Sequence, residues 1–217
     1  MKPTRLAGNA LQPSTTAWEL SLRQTASLHV CPLRRVQEIS ARISARHLIS
    51  AIDDDLLPET PRSIAPDRHL RLTMHDIIEP RAGLVLPDTS HVLELLEFVH
   101  SWNRKDPMLI HCYAGISRST AAAFIALCAL NSNTSEELIA TSLRLSSDTA
   151  TPNCLFVAYA DKTLRREGRM IAAVAKIGSG RIAAECSPFA LSSHYGDAPT
   201  DPGLSDHAQT RAEASYS

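Results

Sequence analysis

Three consecutive apolar residues, Met108-Leu109-Ile110, run directly into His111-Cys112-Tyr113-Ala114-Gly115-Ile116-Ser117-Arg118, and Ser119 to Leu130 then reads as a helix apolar on nearly every side. A strand this short and wholly apolar belongs at the centre of a sheet, covered on both faces. A helix without a polar face must be buried as well. The pattern confines the chain to an α/β fold in which the intervening loop lies between a buried strand end and a helix N-terminus.

The flanking sequence agrees. Leu28 to Leu33 is a short apolar strand candidate, Arg34 to Arg46 carries Val36, Ile39 and Ile43 at helical spacing, and His47 to Ile52 reads as a second strand. This β-α-β unit predicts a sheet of mostly parallel strands flanked by helices. Asp53 to Pro66, with three prolines, reads as a loop. His69 to His75 alternates Leu70, Leu72 and Met74 with polar residues, as a strand covered on one face does. After a second loop, Ile77 to Pro87, the residues Asp88, Thr89 or Ser90 can cap a helix with the stripe Val92, Leu95, Leu96, Val99 and Trp102. Downstream, Thr134-Ser135-Glu136-Glu137 is a capping box, Thr151-Pro152 opens a helix to about Glu167, and Met170 to Ile177 is a final helix. Three regions result: a flexible leader over residues 1–26, one domain over 27–177, and a tail over 178–217 whose Gly, Ser, Pro, Asp and His content predicts disorder.

The chain has 217 residues, 44% hydrophobic and 21% charged, with a net charge of −1. Such a balance recruits neither nucleic acid nor an anionic membrane surface. The longest apolar run, Ala121 to Leu130, is about half a membrane span. The five cysteines are odd in number and include no C-x-x-C pair, so neither a disulfide framework nor a zinc site is predicted, and a reducing, cytoplasmic setting fits. Cys31, Cys128 and Cys154 read as small core residues, and Cys186 lies in the tail without evident role. His91 and His100 fit an exposed helical face and lack metal-ligand spacing, so no metal or cofactor is implied. Phe98 and Trp102 read as packing residues, and Asn153 as support for a helix start.

The loop carries the chemistry. At a helix N-terminus, free backbone N–H groups and the helix dipole bind an anion without any need for a basic protein. Tyr113, Ala114, Gly115, Ile116, Ser117 and Arg118 are thus the predicted phosphate-binding residues. Gly115 can take backbone angles that let the chain curl around the anion, and Arg118 adds a planar fork of donors suited to two phosphate oxygens. The same field favours a thiolate at Cys112, a nucleophile able to attack phosphorus.

The complete H-C-x5-R signature resembles that of the protein tyrosine and dual-specificity phosphatase superfamily, over roughly Leu28 to Ile177. The order of elements resembles the smaller, dual-specificity-like members, and the segments Asp76-Ile77-Ile78-Glu79-Pro80 and Gly115 to Thr120 resemble those of bacterial tyrosine-phosphatase-like proteins. The resemblance implies a cysteine-phosphatase fold and a metal-free cysteinyl-phosphate mechanism acting on phosphotyrosine, or on phosphoserine and phosphothreonine as well. It implies that Ser119 bonds to the cysteine sulfur and that His111 shapes the loop. It also implies an acid on the loop after the preceding strand, where Asp76 stands, with Glu79 in reserve; Asp53, Asp54, Asp55 and Asp67 lie one element too early, and Asp106 falls in a turn. Partners are then phosphorylated proteins or small phosphomonoesters. Alternatives are a phosphatase of inositol phosphates or phosphoinositides, less suited because the loop has no lysine, a sulfurtransferase, and a phosphate-dependent binding pseudophosphatase. Pocket depth, governed by loops near Ser63, Arg81 and Ser147, decides among substrates.

Overall fold

The computed structural model describes residues 27–195; the predicted leader, residues 1–26, and the last part of the predicted tail, 196–217, lie outside them. Five strands form one sheet in the order β3-β2-β4-β1-β5. They are β1 (Ser27–Pro32), β2 (His47–Ile52), β3 (His69–Thr73), β4 (Met108–Cys112) and β5 (Phe189–Ser192). β1, β2, β3 and β4 are parallel to their neighbours, and β5 runs antiparallel to β1. β4 is central and every residue of it is buried, which explains its uninterrupted apolar character.

The side-chain alternation of the strands sorts the core into two layers. Leu28, Val30, Ile49, Ala51, Leu72, Met74, Met108 and Ile110 face one side. There they meet helices α2 (Thr89–Ser101), α3 (Arg118–Leu130), α4 (Glu136–Ser146), α5 (Cys154–Thr163) and α6 (Arg169–Ile177). Cys31, Leu48 and Leu109 face the other side, covered by α1 (Val36–Ile43) through Val36 and Ile39. α3 is buried without a break from Arg118 to Cys128. Full burial of a side chain such as Phe124 contributes about 1.5–3 kcal/mol, so this apolar helix is a large share of the core. Among the described residues no helix is long and apolar enough to cross a membrane.

Local chemistry sets the helix starts. Asp88 accepts from the N–H groups of Ser90 at 2.8 Å and His91 at 3.3 Å, while His91 Nδ1 accepts the Asp88 N–H at 3.2 Å. His91 is therefore buried rather than on the exposed face predicted for it, because its ring closes the cap and its Nε2 reaches Thr73 O at 3.0 Å. Ser135 Oγ caps α4 from the Leu138 N–H at 3.2 Å. The helix expected from Thr151 begins only at Cys154, because Asn153 Oδ1 takes the Phe156 N–H at 3.0 Å and so marks the cap. That placement leaves Cys154 exposed, against the prediction of a core position.

The predicted disordered tail needs a larger correction. From Gly178 the chain returns along the sheet as an ordered strap and adds β5 to β1, pairing Ser27 with Ser192 and Val30 with Phe189. Arg144 organises its start by donating to Ala150 O at 2.7 Å and Gly178 O at 2.8 Å. Composition hid the strap because few apolar residues suffice: Cys186 and Leu191 are buried, and backbone pairing supplies the rest.

Candidate active site

Cys112 ends β4 and Arg118 begins α3, so the loop between them spans the junction predicted from the apolar pattern. Both residues are buried. A cavity of about 460 Å³ opens over them, with Asp53 and Asp76 on its wall and Leu56, Tyr113 and Ile116 as its apolar surfaces. Tyr113 is half exposed beside the opening.

The loop is fixed by its carbonyls. His111 Nδ1 donates to Cys112 O at 3.3 Å. Leu33 N–H holds Tyr113 O at 3.0 Å, Cys186 N–H holds Ala114 O at 2.9 Å, and Thr151 N–H holds Ile116 O at 2.9 Å. Ser117 O receives the N–H of Ala121 at 2.9 Å and that of Asn153 at 3.4 Å. Five of the six peptide units from Cys112 to Arg118 are thus tied to the surrounding framework, all but Gly115–Ile116. In a trans peptide the N–H points away from the C=O. The amides of Tyr113, Ala114, Gly115, Ser117 and Arg118 are therefore turned away from the framework, the arrangement an anion requires. Gly115 takes φ +74°, and a Cβ there would overlap Cys186 Sγ and stand 3.0 Å from both Cys31 C and Pro32 N. Glycine alone fits that place.

Cys112 Sγ accepts the Gly115 N–H at 3.2 Å and lies 3.1 Å from Ser119 Oγ, with which it is hydrogen-bonded. Arg118 donates from Nη1 to Asp53 Oδ1 and to Met74 O, each at 2.7 Å. Its Nε is buried with no partner among the described residues, a costly state for a charged donor unless an acceptor enters the cavity. Asp76 Oδ1 accepts from Ser117 Oγ at 2.6 Å and from Asn153 Nδ2 at 3.0 Å, and Asp76 Oδ2 has no hydrogen bond to the described residues. Glu79, three residues after Asp76, is exposed and does not line the cavity.

His111 begins a directional chain. Its Nδ1 can only donate to a carbonyl, so in the neutral ring Nε2 is an acceptor. It takes the Ser50 hydroxyl at 2.6 Å. Ser50 Oγ in turn receives His69 Nε2 at 2.8 Å, His69 Nδ1 receives the Thr60 hydroxyl at 2.7 Å, and Thr60 Oγ1 receives Arg71 Nη2 at 2.8 Å. Burial, aided by the nearby Arg118 charge, lowers His111 from its ordinary 6.5 to about 4. His69 is lowered to about 4 by burial, then Arg71 and His111.

Every predicted site residue except Glu79 is thus at the cavity or directly behind it. Sequence reasoning missed Asp53, set aside as one element too early; β2 lies beside β4, so the end of β2 opens on the same cavity. It also missed Asn153 as a partner of Asp76, and the strap residue Cys186. For Asn153 and Cys186 no local signal exists, since 77 and 72 positions separate them from Asp76 and Ala114.

The sequence model of the protein-tyrosine phosphatase family matches residues 80–145. No curated protein sequence matches the chain. Solved structures share its fold. A mouse putative dual-specificity phosphatase complexed with zinc tungstate is 17% identical, with a TM-score of 0.52 over 76% of this chain and 98% of that one. Human DUSP28 is 17% identical, with a TM-score of 0.51 over 64% of this chain and 92% of its own.

Proposed function

We propose that this chain, which shares its fold with dual-specificity phosphatases and matches the protein-tyrosine phosphatase family model over residues 80–145, hydrolyses phosphoric monoesters, with phosphotyrosine in proteins as substrate. The observation that carries this reading is Arg118 Nε, buried and unpaired at a cavity that also holds the Cys112 sulfur and the free oxygen of Asp76. A phosphate in that cavity has a nucleophile below it, inward-turned amides around it and an acid beside it.

The steps follow. The Cys112 thiolate attacks phosphorus, and the bond to the ester oxygen breaks. Asp76, held through Oδ1 by Ser117 and Asn153, passes a proton from Oδ2 to the departing oxygen. The loop amides and Arg118 stabilise the equatorial oxygens in the transition state. Asp76 then takes a proton from water, whose oxygen attacks the cysteinyl phosphate; the sulfur leaves as a thiolate, stabilised by the Ser119 hydroxyl and the Gly115 N–H. The apolar surfaces of Leu56, Tyr113 and Ile116 suit an aromatic ring next to the phosphate. Among the described residues Arg118 is the one basic residue lining the cavity, which disfavours polyphosphorylated inositols. All five cysteines are free, in keeping with a reducing cytoplasm.

The test is hydrolysis of p-nitrophenyl phosphate and of a phosphotyrosine peptide by the wild type and by Cys112→Ser. Activity in the wild type, abolished in the variant, is the expected result. An equally active Cys112→Ser protein, or a folded wild type that binds phosphopeptide without releasing phosphate, refutes the reading.

A further inference from the structure

The ordered strap after α6 meets the loop at Cys186, and the contact reaches the nucleophilic sulfur through a single peptide unit. Cys186 donates its backbone N–H to Ala114 O at 2.9 Å. That carbonyl and the Gly115 N–H belong to one planar trans peptide, so fixing one direction fixes the other. The Gly115 N–H points at Cys112 Sγ, 3.2 Å away. The Cys186 side chain fills the place a Gly115 side chain would occupy, which leaves the peptide little space to turn. The strap is anchored on both sides of the contact. Before it, Gly180 N–H bonds Thr151 Oγ1 at 3.0 Å, Arg181 N–H bonds Asp148 O at 2.7 Å, and Glu185 pairs with Arg34. After it, β5 is hydrogen-bonded to β1.

We propose that Cys186 is a positioning residue for the reaction: its backbone N–H sets the Ala114–Gly115 peptide so that the Gly115 amide stabilises the Cys112 thiolate. The inference rests on the reading of Cys112 as the nucleophile. It makes no use of the Cys186 thiol, which burial, with Cys112 close by, pushes up to about 12, so that it stays neutral. The charged and titratable groups around the Cys112 sulfur are Arg118 on α3, Asp53 and Asp76 on the loops after β2 and β3, His111 on β4, Cys31 on β1 and Cys186 itself. Changes at position 186 leave the first five in place.

Cys186→Pro deletes the N–H, whereas Cys186→Ala and Cys186→Ser keep it. The readout is the rate of iodoacetamide alkylation at Cys112 across pH, followed on the Cys112 peptide by mass spectrometry. An aligned amide facing an anion is a strong hydrogen bond, so its loss in Cys186→Pro moves the acid limb of the profile up by about one pH unit. The Ala and Ser profiles are expected to superimpose on the wild type. A Pro profile that superimposes on the wild type at unchanged melting temperature overturns the proposal, as does an equal shift in all three variants. Should Cys186→Pro not fold, Cys186→Leu replaces it: the branched side chain pressed against Gly115 displaces the strap, the same upward shift is expected, and an unshifted profile overturns the proposal. Alkylation requires no turnover, so this result is independent of the phosphatase test, which fails separately through an active Cys112→Ser protein.

Discussion

Acid should weaken this protein through the histidine behind the loop. His111 is fully buried, donates to Cys112 O through Nδ1, and must accept through Nε2 from Ser50. Protonating Nε2 puts two donors face to face and leaves a charge in the core beside Arg118. Its folded pKa of about 4 lies below the ordinary 6.5 expected on unfolding. The unfolded chain therefore binds the proton first as pH falls, so stability is fully present above about pH 6.5 and is lost as pH drops towards 4. At roughly 1.4 kcal/mol per pH unit, that gap makes His111 responsible for about 3 kcal/mol over the interval. For a domain of this size this lowers the melting temperature by roughly 6–12 °C. Urea unfolding followed by the fluorescence of buried Trp102 at pH 7, 6, 5 and 4.5 measures it. The comparison is His111→Gln, less stable at pH 7 but without the titration. Wild type and variant should converge as pH falls. Parallel stability curves over the whole range would refute the reasoning.

Three further outcomes follow from the geometry. Asp53→Ala removes one of the two acceptors that orient Arg118, a charged hydrogen bond of about 1.5–3 kcal/mol. The value of kcat/KM for a phosphotyrosine peptide should drop roughly 10- to 100-fold, with Cys112 alkylation still observable. Asn153→Ala loses both the α5 cap and the hold on Asp76. Stability should fall by about 1 kcal/mol in chemical denaturation, and kcat should fall more for alkyl phosphates than for p-nitrophenyl phosphate, whose leaving group needs little protonation. Gly115→Ala forces a left-handed backbone on alanine, about 1–2 kcal/mol, and drives its Cβ into Cys186 and the Cys31–Pro32 backbone. A thermal melt should show a decrease of several degrees, together with loss of phosphate release.

What could be read in advance was whatever repeats locally along the chain. The apolar β4 followed by an apolar α3 fixed the centre of the sheet, and the spacing of Cys112 and Arg118 fixed the loop, because neighbours in sequence are neighbours at a strand-to-helix junction. Asp76 was reachable by counting elements. Asp53 was not, because counting treats elements as a line, whereas β2 lies next to β4 in the sheet. The strap was illegible for a different reason. A short edge strand needs backbone partners more than apolar side chains, so β5 exposes almost no periodic signal, and its register against β1 depends on contacts more than 150 residues apart. Cys154 and His91 were misjudged because a cap, a matter of one side-chain bond, decides where a helix starts and which way it faces.

The cavity wall holds two carboxylates and one guanidinium, in a chain whose formal charge is −1. Counted as point charges, that is a poor place for a phosphate. The balance is reversed by dipoles rather than by ions. With five of its six peptide units tied outward through their carbonyls, the loop cannot rotate its amides to meet other partners, so the inward field exists before any ligand arrives. Preorganised dipoles of this kind need no rearrangement as charge builds on the phosphoryl oxygens, which is where they are worth most. Asp53 then serves the anion indirectly: with Met74 O it occupies Nη1 of Arg118 and fixes the guanidinium, leaving Nε and Nη2 as donors without a partner among the described residues. The partners that do the tying come from the residue after β1, from β4 and α3 on either side of the loop, from the turn after α4, the cap of α5 and the strap. It follows that the loop sequence alone specifies the chemistry but not its strength, which is set by framework residues as distant in the chain as Leu33 and Cys186.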